Sequence, residues 1–119
     1  MVVTSSGLNR TANLVASAFP FFSIGTGVTT VNIGDTTLES SVFLKYVNII
    51  STSNNVVYHR TIFNKLEGNS ASNITEMGLF GTSTAQMCWR SVASTATWTA
   101  FSKTSTISAS ISTSITVST

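Results

Sequence analysis

From Ile107 to Val117 the chain alternates without a break. Ile107, Ala109, Ile111, Thr113, Ile115 and Val117 fall on one side, and Ser108, Ser110, Ser112, Ser114 and Thr116 on the other. A period of two over that length places every second side chain on the same face of a pleated strand, one face dry and one wet. A helix would scatter the same residues around its circumference, so this segment commits the chain to a β-sheet with a buried face. Other segments follow the same rule. Val42, Leu44, Tyr46 and Ile50 share one face of a long strand, with Phe43, Lys45, Val47 and Ile49 on the other. Ser53-Asn54-Asn55 then supplies a hairpin turn, because Asn tolerates the positive φ such turns require. The return strand is expected from Val56 to Leu66, with Val57, His59, Thr61, Phe63 and Lys65 on one of its faces.

One helix is expected at the front, over Leu8 to Phe19. Leu8, Ala12, Val15 and Phe19 recur at helical spacing, Ser5 or Ser6 caps the start, and Pro20 ends it. Phe21-Phe22-Ser23-Ile24 reads as a short buried strand, followed by Gly25-Thr26-Gly27. The stretch from Asn32 to Ser41 reads as a loop with Leu38 anchored in the core and Asp35 and Glu39 facing solvent. Ile74-Thr75-Glu76-Met77-Gly78-Leu79-Phe80 reads as a core strand paired with the one through Met87-Cys88-Trp89-Arg90. Gly81-Thr82-Ser83-Thr84 forms the turn between them. Glycine inside a strand marks a bulge or a close backbone approach, and Gly78 carries that expectation. The expected architecture is mainly β: an antiparallel β-sandwich, jelly-roll-like, with one short N-terminal helix. It forms a single domain over residues 1–119, with residues 1–20 helical and 21–119 the sandwich.

Composition limits the function. Only 8% of the 119 residues are charged, against about a quarter in an average globular chain. Ser, Thr and Asn occupy positions where Lys and Glu usually stand, and such a surface resists self-association weakly. That property suits a subunit whose faces are covered by its neighbours. The net charge of +2 comes from bases scattered along the chain, with no basic stripe, so no nucleic-acid partner is expected. No segment reaches the length needed to span a bilayer, and Met1-Val2-Val3 opens no signal sequence, so no membrane partner is expected and folding in a cytoplasm is.

The inventory for chemistry is thin. Cys88 is the single cysteine and His59 the single histidine, so neither a cysteine cluster nor a histidine pair can hold a metal. Gly25-Thr26-Gly27 lacks the further glycines and the following helix of a phosphate loop. No serine lies in a Gly-x-Ser-x-Gly elbow. No catalytic residue, metal site or cofactor is expected, and His59 reads as a surface or interface residue. Glu76, on a strand face with Ile74 and Gly78, needs a cationic partner if buried, and Arg90 on the adjacent strand is the candidate for a structural ion pair. Trp98, in a polar stretch, is the candidate for an exposed aromatic contact with sugar or protein.

Taken in order, Ile24-Gly25-Thr26-Gly27, Asp35-Thr36-Thr37-Leu38-Glu39, Ile74-Thr75-Glu76-Met77-Gly78-Leu79-Phe80, Trp89-Arg90 and the alternating C-terminal strand resemble a family of small tailed-phage structural proteins. The resemblance covers most of the chain. It implies a non-enzymatic virion component, of the tail, fibre or capsid-decoration type, that self-assembles as a homo-oligomer. Its partners would be copies of itself and other virion proteins. The alternative is a carbohydrate-binding or adhesion module that meets a host-surface glycan through Trp98.

Overall fold

A computed structural model describes residues 1–83 and 85–118. One helix and seven strands follow in order: α1 (Ser5–Ala18), β1 (Phe21–Gly25), β2 (Ser41–Tyr46), β3 (Ile49–Ser53), β4 (Val56–Phe63), β5 (Glu76–Phe80), β6 (Met87–Val92) and β7 (Ala109–Thr116). They form two antiparallel sheets, β2-β1-β5-β6 and β3-β4-β7, so the chain is a mainly β sandwich with one helix.

The helix obeys its spacing. Ala12 is buried and Leu8, Val15 and Phe19 are half-buried. Its cap is Thr4 rather than Ser5 or Ser6: the Thr4 hydroxyl accepts from Gly7 N at 3.1 Å, satisfying one of the free N–H groups of the first turn. The helix lies over β3 and β4, where Thr52 Oγ1 donates to Asn13 Oδ1 at 2.8 Å.

The expected strand from Val42 to Ile50 is two strands in two sheets. At Val47 and Asn48 the chain leaves β2, paired with β1, and enters β3, paired with β4. Val47 N donates to the Pro20 carbonyl and Asn48 N to the Arg60 carbonyl. Asn48 Oδ1 accepts from Ile62 N, so the corner's polar groups are satisfied where the ladder breaks. Apolar periodicity runs straight through this corner, because each half buries its own face. The hairpin at Asn54-Asn55 forms as expected, with Asn54 at φ 55°. The return strand stops at Phe63, and Leu66 is exposed.

Phe22 and Ile24 of β1, Met77 and Leu79 of β5, Phe63 of β4 and Ile74 make the core between the sheets. Phe63 meets Phe22 and Phe43, with ring centroids 6.2 Å apart in both pairs. Along β7, Ala109, Ile111, Thr113 and Ile115 are half-buried and Ser110, Ser112, Ser114 and Thr116 are exposed, following the alternation of the sequence. In contrast, every residue of β5 is buried, so both faces of the four-stranded sheet are covered at this strand. One face meets the core. Over the other lies the irregular segment between β1 and β2, with Leu38 buried beneath it. A Cβ on Gly78 would meet Leu38 Cδ2 and the Trp89 carbonyl, each at 3.1 Å; this glycine lets the covering segment sit close. The bulge on this strand pair falls next to it, between Leu79 and Phe80. Of the expected turn at Gly81–Thr84, Thr84 lies outside the described residues.

Candidate functional site

A segment that covers a sheet without forming strand or helix leaves its main-chain N–H groups in want of acceptors. Between β1 and β2 they come from carboxylates. Glu76, wholly buried at the start of β5, reaches up from the sheet. Its Oε2 accepts from Gly27 N at 2.8 Å and Ser40 N at 2.7 Å, and its Oε1 from Glu39 N at 2.9 Å. The two ends of the segment are thus clasped by one side chain. Glu39 continues the pattern: its Oε1 accepts from Val28 N at 2.7 Å and Thr29 N at 3.2 Å. Asp35 Oδ2 accepts from Asn32 N at 3.0 Å.

Arg90 closes the arrangement. In register it faces Gly78 across the β5–β6 ladder, one diagonal step from Glu76 on the same face. Its Nε donates to Glu76 Oε1 at 3.0 Å, one terminal nitrogen to Asp35 Oδ2 at 3.1 Å and the other to Thr29 Oγ1 at 3.2 Å. The structure therefore brings Glu76 and Arg90 together and adds Asp35 to them. Burial works against the Arg90 charge, but the hydrogen bonds and charges of Glu76 and Asp35 outweigh it and hold the guanidinium above its ordinary range. Asp35 is held below the usual carboxylate range first by the Asn32 N–H and then by Arg90. Glu39 is held low by the N–H groups of Val28 and Thr29. Glu39 is exposed, as the sequence implied, and Asp35 is half-buried against Arg90; both bind the segment that carries them.

The glycines of Gly25-Thr26-Gly27 belong to the same clasp. A Cβ on Gly27 would collide with Glu76 Oε2 and would come within 2.5 Å of Glu39 Cβ. On Gly25 it would strike the Ser40 carbonyl and stand 2.7 Å from Glu76 Oε2. The loop makes room for a carboxylate of its own chain rather than for a phosphate. Thr75 adds a further tie, its hydroxyl donating to the Gly27 carbonyl at 2.7 Å.

Chemically, Glu76 is saturated. Each Glu76 oxygen already accepts two hydrogen bonds and none of its surface reaches solvent. A carboxylate that is to take or give a proton needs an oxygen within reach of a substrate. Glu76 has none to offer.

The remaining candidates lie elsewhere. His59 is buried, not at the surface: it points inward from β4, under the helix and opposite Thr113 of β7. Among the described residues its Nδ1 and Nε2 have no hydrogen-bond partner, nor do the hydroxyls of Thr61 and Thr113. Burial pulls the imidazole below its ordinary value, and the nearby Phe19 carbonyl, outside hydrogen-bond geometry, opposes this weakly. Trp98 is half-buried rather than fully exposed. Its indole N–H donates to Ser91 Oγ at 2.9 Å, its ring leans on Phe101, and it lines an open groove of about 490 Å³ with Thr75, Ser94, Thr97 and Thr99. Cys88 is half-buried, with its thiol pushed up by desolvation.

Two charged sites escaped the reading of the sequence. Lys103 is wholly buried, its Nζ donating to Asn69 Oδ1 at 2.7 Å and the Thr104 carbonyl at 3.2 Å. Lys45 pairs with Glu67 at 3.0 Å and donates to the Ile62 carbonyl. Nothing in Ser102-Lys103-Thr104 signals burial, because the segment that encloses it is distant in sequence. Among the described residues no group of three or more His, Cys, Asp or Glu side chains could hold a metal ion. Compared with protein-family models and with curated proteins, the chain matches none.

Proposed function

We propose that this chain is a non-enzymatic structural protein of a tailed virus particle. It assembles in the host cytoplasm with copies of itself and with other virion proteins, as a capsid decoration, fibre or tail component. One observation carries the reading. The residues that resemble small tailed-phage structural proteins, from Gly25 and Gly27 through Asp35 and Glu39 to Glu76 and Arg90, converge on a single clasp that locks a covering segment onto a sheet. An ordered motif set with this outcome serves shape rather than turnover. The sparsely charged surface supports the same reading, since it tolerates close neighbours. The test is mass spectrometry of density-purified particles from a culture carrying the coding sequence. Peptides of this chain should band with the particles in the ratio of a structural protein. A chain that is expressed yet absent from the particles would overturn the reading.

A second reading follows from the Trp98 groove. An aromatic ring beside the hydroxyls of Thr75, Ser94, Thr97 and Thr99 suits a sugar ring, with its apolar face on the indole and its edges hydrogen-bonded. Glycan-array binding that disappears in Trp98→Ala would support an adhesion role. An array without binders would remove it.

A further inference from the structure

Strand β7 ends the three-stranded sheet, and among the described residues no strand lies beyond it. Val117 N donates to the Asn55 carbonyl at 2.8 Å, in register with the β4–β7 pairing. Antiparallel ladders alternate between hydrogen-bonded and non-hydrogen-bonded pairs. The odd-numbered residues of β7 therefore direct their main chain to β4, and Ser110, Ser112, Ser114 and Thr116 direct theirs outward to an open edge.

Natural edges are blunted by charge, proline, bulges or shortness. This one has none of those. It runs eight residues in unbroken register, with no charged residue and no proline after Lys103. The other edges differ: β3 is only five residues long, and the pairings that hold β2 and β6 both slip register. The helix lies over β3 and β4.

We infer that β7 is an assembly edge whose partner is β7 of a second copy of this chain, paired antiparallel about a two-fold axis. The inference deepens the assembly reading above and rests on it for the nature of the partner. The strand is its own complement. Outward-pointing residues must meet outward-pointing residues, which permits only pairings between even-numbered positions. Setting Ser110 against Thr116 and Ser112 against Ser114 engages all four, whereas a shift by one step would place Thr116 against Ser108, outside the strand. The chosen register also sets Ile111 against Ile115 of the copy, so the half-buried stripe continues across the junction. Thr113 then faces its own copy in a non-hydrogen-bonded pair, where cross-strand hydroxyls come within reach of each other. The joined sheets become one continuous sheet of six strands, closed by symmetry rather than open to further addition at this edge.

Amide hydrogen exchange on the full chain, measured with sedimentation velocity across a concentration series, tests this directly. Amides of Ile111, Thr113 and Ile115 should be protected at every concentration, since β4 holds them. Those of Ser110, Ser112, Ser114 and Thr116 should become protected only as the dimer forms. Ser112→Pro removes an outward N–H without touching the ladder to β4, and Ser114→Lys places a charge on the edge. Each should weaken association by about tenfold or more while the circular dichroism of the fold stays unchanged. A wild-type chain that stays monomeric at high concentration would overturn the inference. So would an oligomer whose even-numbered edge amides exchange freely, or folded edge variants that associate like wild type. Particles that contain the chain while its edge amides stay open would sink this inference and leave the assembly reading standing. Edge protection in a chain that particles lack would do the reverse.

Discussion

Replacing Glu76 with Gln changes one oxygen to an NH2 group and removes one charge, with almost no change in volume. In the clasp there is no harmless way to orient the amide. One side of the carboxylate faces the N–H groups of Gly27 and Ser40, the other those of Glu39 and the Arg90 Nε. Whichever side receives the NH2, two donors confront a donor and lose their acceptor. A buried donor left without a partner costs about 1–3 kcal/mol, so two cost about 2–6. Breaking a buried ion pair by removing one partner costs about 3–5 kcal/mol, and that range overlaps the first because it describes the same event from the side of Arg90. Asp35 remains beside the guanidinium and keeps the loss from the upper limit. We expect Glu76→Gln to destabilise the chain by about 4 kcal/mol, a large share of the roughly 5–15 kcal/mol that holds a domain together. Urea unfolding followed by tryptophan fluorescence measures it, and the corresponding fall in Tm is on the order of 15 °C. Amide exchange should accelerate first at Gly27 and Ser40 if the NH2 takes their side, or at Glu39 if it takes the other, since only that side loses its acceptor. A variant within about 1 kcal/mol of wild type, with those amides still protected, would refute the view that the clasp holds the covering segment.

Other perturbations bear on separate parts of the structure. Gly27→Ala drives a methyl group into the Glu76 and Glu39 side chains and should destabilise by about 1–3 kcal/mol, read by the same urea titration. His59 governs the mildly acidic range. Burial lowers its folded-state value, so the unfolded chain takes up the proton first; stability is whole above the ordinary value of 6.5 and declines as pH falls through it. His59→Leu should abolish that decline in a Tm-against-pH series. A second decline should survive the substitution at lower pH, since Asp35, Glu39 and Glu67 are all held below their ordinary values of 3.8, 4.5 and 4.5. Stability from those carboxylates is present above the ordinary values and is lost as pH falls through the depressed ones.

How much of this was legible beforehand depends on whether the information was local. The alternation of β7, the helical spacing of α1 and the Asn54-Asn55 turn rest on neighbouring residues, and each element forms where its pattern lies. The corner at Val47-Asn48 was not legible, because a strand that changes sheets keeps its period of two on both sides of the break. Glu76 and Arg90 could be paired on paper, since two adjacent strands bring their diagonal positions close. The roles of Asp35 and Glu39 could not, because acids in an irregular loop read as solvated until the path of that loop is known.

By itself, then, the sequence determined that this chain is built from pleated strands with one helix, and that Glu76 would need a cation if it were buried. Periodicity and charge are local quantities, and they carry that far. Only the tertiary structure decided that Glu76 is buried, that His59 and Lys103 lie inside, and that the segment over the sheet is pinned at both ends by one carboxylate. Those outcomes depend on which distant segments cover a residue. Covering is settled by the packing of the whole chain, with every buried polar group drawn to the donors and acceptors that the packing brings within reach.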